Sequence, residues 1–211
     1  AYDENIVSVI HSAPRFFNYA VAFANPPKSV SRFHQDNKNA LLTLNGGYWD
    51  EHYRPTDLCV VAGKVIKSVN TRNSHFGLFA VRRNGELVIE DLKNKFLSKA
   101  DVSEFLYALK SGPHLIRKGA PVAYKSSRSH ARTVVGKNVQ NDVLFVITKS
   151  GMMSYAEMSN FLLDSGLGIT DAFNLDGGSS TGFALGRGTG GISRDSVNIA
   201  NAIQVMFRMQ K

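Results

Sequence analysis

The segment Asn174-Leu175-Asp176-Gly177-Gly178-Ser179-Ser180-Thr181 is where residue types and spacing most suggest chemistry. An apolar strand over Asp171 to Leu175 runs into it, so the Asp176 carboxylate stands where that strand should end. The two glycines allow a sharp turn and close approach of the backbone to a ligand. The N–H groups of Gly177, Gly178, Ser179 and Ser180 can form a concave anion-binding nest. The hydroxyls of Ser179, Ser180 and Thr181 add donors. An anionic sugar phosphate suits such a place. Spacing alone is equally met by a plain turn in which Asp176 accepts backbone N–H bonds.

A second constellation, Asn45-Gly46-Gly47-Tyr48-Trp49-Asp50, follows the strand Leu41 to Leu44 and holds the only tryptophan. Tyr48 and Trp49 are the kind of ring that stacks on the apolar face of a sugar; the simpler account is a β-bulge with two core aromatics. A third, Ser129-His130-Ala131-Arg132-Thr133, precedes another strand. Arg132 can clamp a phosphate through two parallel N–H bonds, a geometry that lysine lacks, and His130 can donate to the same group. Taken alone, an ion-paired surface arginine and an exposed histidine explain that segment more simply.

Other features are set aside. Glu157 has the spacing of a capping-box partner to Ser154, which accounts for it without catalysis. Gly186 to Gly191 resembles a dinucleotide loop but lacks the preceding first strand of a βαβ unit and the acidic residue after it. His11, His34, His52, His75 and His114 have no zinc-ligand spacing, so neither a metal nor any other cofactor is expected. Cys59, the lone cysteine, lies in the apolar run Leu58 to Val61 and reads as a buried, inert thiol.

The elements that must position these residues are short. Tyr19 to Phe23, Leu41 to Leu44 and Val143 to Ile147 read as strands, the last buried on both faces, and Ala202 to Met209 as the final one. Leu58–Val61 and Lys64–Ile66 flank Ala62-Gly63 as a hairpin. Gly77–Arg82 and Leu87–Ile89 flank Asn84-Gly85, which suits a type I′ turn with both central residues at positive φ. Two helices carry capping-box starts. One begins at Asp101-Val102-Ser103-Glu104, runs through Phe105, Leu106 and Leu109, and stops at Gly112. The other begins at Ser154 to Glu157, runs through Met158, Phe161 and Leu162, and stops at Gly166. The expected fold is α+β, a mixed, largely antiparallel sheet core with a few flanking helices, in one domain over 1–211.

A net charge of +8 favours acidic partners, but Lys and Arg are scattered in pairs such as Arg82-Arg83 and Arg117-Lys118. A nucleic-acid partner is therefore not expected. Neither is stable membrane insertion, because no apolar run approaches a membrane span. The chain starts at Ala1 rather than methionine, which suits a mature form whose export signal has been removed. Nothing in it points to an oligomeric state.

In order along the chain, these pieces resemble the phosphodiester glycosidase family. The resemblance runs from Asn45–Asp50 through Gly63-Lys64, Gly112-Pro113-His114-Leu115 with Gly119, and His130–Thr133 with Gly136. It continues through Gly151, Ser154 and Glu157, peaks at Asn174–Ser180, and ends over Arg194 to Val205. One departure stands out: the family's loop carries three glycines before the serine, and here Ser179 takes the third place.

The resemblance implies hydrolysis of a glycosyl 1-phosphodiester, a sugar phosphate or phosphorylated glycan, at the anomeric C–O bond. It assigns Asp176 to the anomeric centre as nucleophile or base, with Asp50 as the second carboxylate. Asn45, Gly46, Gly47, Trp49, His130, Arg132, Thr133, Asn174, Gly177, Gly178, Ser179 and Ser180 would bind substrate. A secreted or periplasmic location follows the family's bacterial members. Two rival readings remain: a metal-dependent phosphodiesterase with Asp50 and Asp176 as ligands, and a non-catalytic glycan-binding module using Tyr48 and Trp49.

Overall fold

Three antiparallel sheets meet around one core in the computed structural model, which describes residues 6–72, 75–186 and 193–208. The first sheet orders its strands as Ile6–Ser12, Val143–Ser150, Thr133–Asn138, Ile169–Asn174, His114–Arg117 and Ala120–Pro121. The second runs Ser193–Arg194, Phe183–Leu185, Ala40–Asn45, Ile199–Phe207, Phe17–Lys28. The third runs Lys64–Lys67, Cys59–Val61, Phe105–Ser111, Gly77–Arg82, Leu87–Asp91. Every ladder between these strands is antiparallel.

The inner faces interdigitate in a shared core: Val135, Phe145 and Phe173 from the first sheet, Tyr19, Leu42 and Leu44 from the second, Cys59, Phe79 and Leu109 from the third. Each outer face is covered by one helix. Tyr155–Asp164 sets Met158 and Leu162 on the first sheet, Val30–Asp36 sets Val30 and Phe33 on the second, and Leu92, Leu97 and the Lys99–Ser103 turn cover the third. With both faces buried, strands read as continuous apolar runs rather than alternating ones. Cys59 lies in that core, and burial pushes its thiol up to about 12, which leaves it unreactive at neutral pH.

The Tyr155–Asp164 helix starts as the sequence predicts, with Ser154 and Glu157 closing a capping box, and Gly166 follows it at φ +70°. The Leu58–Ile66 hairpin also forms, with Ala62 and Gly63 both at positive φ.

Two expectations are corrected. The helix over Phe105 to Leu109 is instead a strand, and only Lys99–Ser103 is helical, capped by Ser98 with Asp101. A run such as Phe-Leu-Tyr-Ala-Leu has no period that separates a buried strand from a helix. Here Phe105 and Ala108 face the outer cluster and Leu109 the inner one, so the strand buries both sides. At Asn84-Gly85 only Gly85 has positive φ. The bonds Gly85 N–Arg82 O (2.9 Å) and Arg82 N–Glu86 O (2.8 Å) close a three-residue loop with Gly85 in the left-handed place, not a type I′ turn. Of the Gly186–Gly191 loop, residues 187–191 lie outside the described residues, as does Met209.

Candidate active site

The Ile169–Asn174 strand lies between Thr133–Asn138 and His114–Arg117, so its end is fixed from both sides. Beyond it the chain crosses the edges of two other segments. Leu175 N donates to Thr133 O (2.8 Å), Gly178 N to Ala131 O (2.8 Å) and Asp176 N to Gly46 O (2.9 Å). The three segments singled out by their residue types therefore meet at one place.

Asn45 ties them together. Its Nδ2 donates to Asp176 O (2.7 Å), while its Oδ1 accepts from Thr133 Oγ1 (2.7 Å) and Gly182 N (3.2 Å). Asn201 does the same for the neighbouring turn, accepting from Gly47 N (2.7 Å) and donating to Gly47 O (3.1 Å). This seat requires glycine at 46, since a Cβ there would lie 2.1 Å from Asn201 Oδ1. Gly178 has φ +62°, the left-handed region that glycine enters without strain.

Asp176 retains some exposure at the mouth of this junction. Desolvation raises its carboxyl above the ordinary value; the Ser180 hydroxyl, the Gly177 N–H (2.8 Å to Oδ1) and the Trp49 indole N–H pull the other way. Trp49 stacks on Tyr53 at 4.8 Å, which holds the indole in place. Two buried polar atoms here, Asn174 Oδ1 and Thr181 Oγ1, have no hydrogen-bond partner among the described residues. Buried polar atoms normally have partners, so unmet ones beside a perturbed carboxylate mark this junction as a candidate site.

Arg132 is buried, at 4% exposure. Its Nε donates to Met153 O (2.8 Å) and Nη2 to Arg128 O (3.0 Å), and its guanidinium lies 3.9 Å from the centre of the Tyr155 ring. Among the described residues no carboxylate pairs with it. A buried cation without an acid is costly unless an anion joins it. The expected surface ion pair is thus absent, and the guanidinium sits one residue from the Ala131 carbonyl that anchors the Asp176 loop. Sequence reasoning missed Tyr155. The sequence marks Tyr155 only as the first residue after the Ser154 cap; the Met153–His130 bridge that brings it to Arg132 belongs to the fold.

Tyr48 links these parts. Its hydroxyl donates to Gly112 O (2.9 Å) and accepts from Asn174 Nδ2 (3.1 Å), its ring stacks on His75 (4.8 Å), and the Tyr155 hydroxyl lies beside it. Burial, then Tyr155, push the Tyr48 phenol far above its usual range. The ring is thus a fixed wall with its hydroxyl spoken for, rather than a free stacking platform.

Several expected contacts are corrected. Three of the four nest amides are taken: Gly177 N, Gly178 N and Ser180 N donate to Asp176 Oδ1, Ala131 O and Gly177 O. Gly178–Ser180 forms a 3₁₀ turn. Asn45, Thr133 and Asn174 are at most 1% exposed, and what they touch is the protein. His130 is exposed, and its backbone bridges to Met153. Asp50 is taken up by its own turn. It accepts from His52 N, Arg54 N and Arg54 Nε, all at 2.9 Å, and the Arg54 backbone and guanidinium hold it down to about 2. A groove of about 660 Å³ lined by Arg15, Asn84, Glu86, Lys137 and Arg208 lies at the other end of these strands and shares none of these residues.

The sequence profile of the phosphodiester glycosidase family matches residues 38–206, a span containing every segment of this junction. The chain belongs to that family. No curated protein sequence is similar enough to count as a match. Among solved structures, this family member resembles the catalytic domain of zebrafish N-acetylglucosamine-1-phosphodiester alpha-N-acetylglucosaminidase, auto-inhibited by its pro-peptide. The TM-score is 0.70 at 17% identity, over 99% of this chain and 86% of that one. It also resembles a hypothetical protein from Synechocystis (TM-score 0.66, 16% identity, 96% of this chain and 59% of that one). A Burkholderia pseudomallei protein described as exported matches with TM-score 0.60 and 12% identity over 95% of this chain and 73% of that one. These likenesses extend the shared fold to described residues before 38. Among the described residues of this family member, no three His, Cys, Asp or Glu side chains cluster as a metal site would need. No helix there is long and apolar enough to cross a membrane.

Proposed function

We propose that the protein hydrolyses a glycosyl 1-phosphodiester at the anomeric C–O bond, releasing a free sugar and a phosphomonoester. The observation that carries this reading is the pairing of a desolvated but accessible carboxylate, Asp176, with a buried guanidinium that no acid among the described residues pairs with, Arg132, on backbones joined by the Gly178 N–Ala131 O bond. Asp176 serves the anomeric carbon as nucleophile or as base for water. Arg132 holds the phosphate, whose anion is already stable near neutral pH. The leaving group then needs little protonation, and a second carboxylate is dispensable, unlike in ordinary glycosidases. That agrees with Asp50 being committed to its turn. The exposed hydroxyl of Ser179 is a further donor for sugar and phosphate oxygens. The substrate class is a sugar phosphate or phosphorylated glycan of a cell envelope, and the site of action is extracytoplasmic.

Hydrolysis in oxygen-18 water tests this directly. Attack at C1 places the label on the sugar and leaves every phosphate oxygen original. Label in the phosphomonoester would mean attack at phosphorus and would sink the glycosidase reading.

A further inference from the structure

The geometry points to a role for Tyr155: it is the positioning residue that aims the Arg132 guanidinium at a bound phosphate. This rests on the phosphate role given to Arg132 above. A planar guanidinium needs its rotation and its plane fixed before its free edge has a direction. The bonds from Nε to Met153 O and from Nη2 to Arg128 O fix rotation. The plane is held by the Tyr155 ring, 3.9 Å from Cζ. What is left is the Nη1 edge, which makes no bond among the described residues.

Tyr155 is itself well held. It is the first residue of a helix whose start is locked by the Ser154–Glu157 capping box. Its ring packs against Tyr124 at 5.3 Å, and its hydroxyl lies beside that of Tyr48. Tyr48 in turn accepts from Asn174 Nδ2, two residues before Asp176. A line of contacts thus runs from the guanidinium to the strand that carries the carboxylate. The stacking ring, not the hydroxyl, sets the plane of Arg132. Stacking over a desolvated cation is also stronger than at the surface.

The single tryptophan, Trp49, faces Asp176, so intrinsic fluorescence of the full chain reports binding at this site. Inorganic phosphate is titrated against wild type, Arg132→Lys, Tyr155→Phe and Tyr155→Leu, and turnover of glycosyl 1-phosphodiesters is measured in parallel. Tyr155→Phe should keep phosphate affinity within about twofold, since the ring remains. Tyr155→Leu should lose about 3- to 30-fold, the worth of a partly buried cation–π contact. The emission spectrum without ligand should match wild type in both, which a merely structural loss would not allow. If Tyr155→Leu does not fold, Tyr155→Met takes its place.

The assignment is overturned if the Leu or Met variant binds phosphate like wild type, or if Tyr155→Phe loses as much. It is also overturned if wild type binds no phosphate. A wild type that binds phosphate through Arg132 yet hydrolyses no glycosyl 1-phosphodiester would sink the glycosidase reading and leave the role of Tyr155 standing.

Discussion

The turn after Asn45 and the turn after Asn174 are built alike and end differently. Each follows a strand, carries a Gly-Gly pair and places one aspartate beside it. Asp50 accepts three hydrogen bonds from His52 and Arg54, remains partly exposed, and is held down to about 2. Asp176 has one backbone donor, no cation paired with it among the described residues, and enough burial to raise its pKa. Desolvation disfavours a charge that local donors would otherwise favour. Identical side chains at similar turns thus become a structural brace and a desolvated, partly exposed carboxylate. Charge and spacing, which a sequence displays, do not separate them; the number of donors and the depth of burial do.

The comparison breaks first at Asp176. Asp176→Asn keeps the shape and removes the charge, and turnover should fall at least about a hundredfold, the order of an acid–base contribution. The same variant should be more stable than wild type at neutral pH. A carboxyl whose folded pKa is raised contributes its stability below the unfolded value, and that contribution is lost as pH rises through the folded value. Removing the buried charge removes this penalty. Thermal unfolding at pH 7 and at pH 4 checks the sign: the gain should shrink at the lower pH. A destabilised Asp176→Asn would mean that the carboxylate braces its loop as Asp50 does.

Arg132→Lys comes next. A point charge replaces a fork whose two arms are pinned and whose face is stacked. Misplacing the cation should cost about ten- to a hundredfold in kcat/KM, the scale of an ångström-level error in positioning. Wild-type kinetics would return Arg132 to a purely structural role.

Asn45→Ala tests the tie between the two turns. It strands Thr133 Oγ1, Gly182 N and Asp176 O in a site only 1% exposed. Each buried group left without a partner costs roughly 1–3 kcal/mol, so chemical denaturation should show a loss of about 3 kcal/mol or more. Turnover should fall about tenfold because Asp176 loses one of its two backbone anchors. An unchanged midpoint would mean that water replaces the amide.

Much of the junction is legible in the sequence because it depends on types that few structures need together. Gly46, Asn45, Arg132 and the Asn174–Gly178 run mark it, and their convergence needs only strand ends. The roles within it are less legible. Asn45, Thr133 and Asn174 are as polar as any ligand-binding residue, and only burial reveals that they hold the loops. The Gly177, Gly178 and Ser180 amides look free until the fold supplies Asp176 Oδ1, Ala131 O and Gly177 O as acceptors. Phe105–Leu109 shows the same limit in the fold, since an apolar run packed on both faces has no period to read. The Val30–Asp36 helix escaped notice because Ser29 caps a stretch that is mostly polar.

The smallest expected effect is at Asp50, and it completes the comparison. Asp50→Asn keeps an acceptor oxygen for His52 N and Arg54 N but removes the charge that Arg54 meets. An exposed pair of this kind contributes little, so kcat/KM at pH 7 should stay within about threefold of wild type. Its trace should instead appear in acid. A carboxyl whose folded pKa is depressed adds stability above its unfolded value, and that stability fades as pH falls through the folded value, here about 2. Wild type should therefore lose stability relative to Asp50→Asn as the pH drops from 5 toward 2, with the two converging at the acid end. A loss of turnover at pH 7 comparable to that of Asp176→Asn would overturn the division of labour and return Asp50 to the chemistry as a second carboxylate.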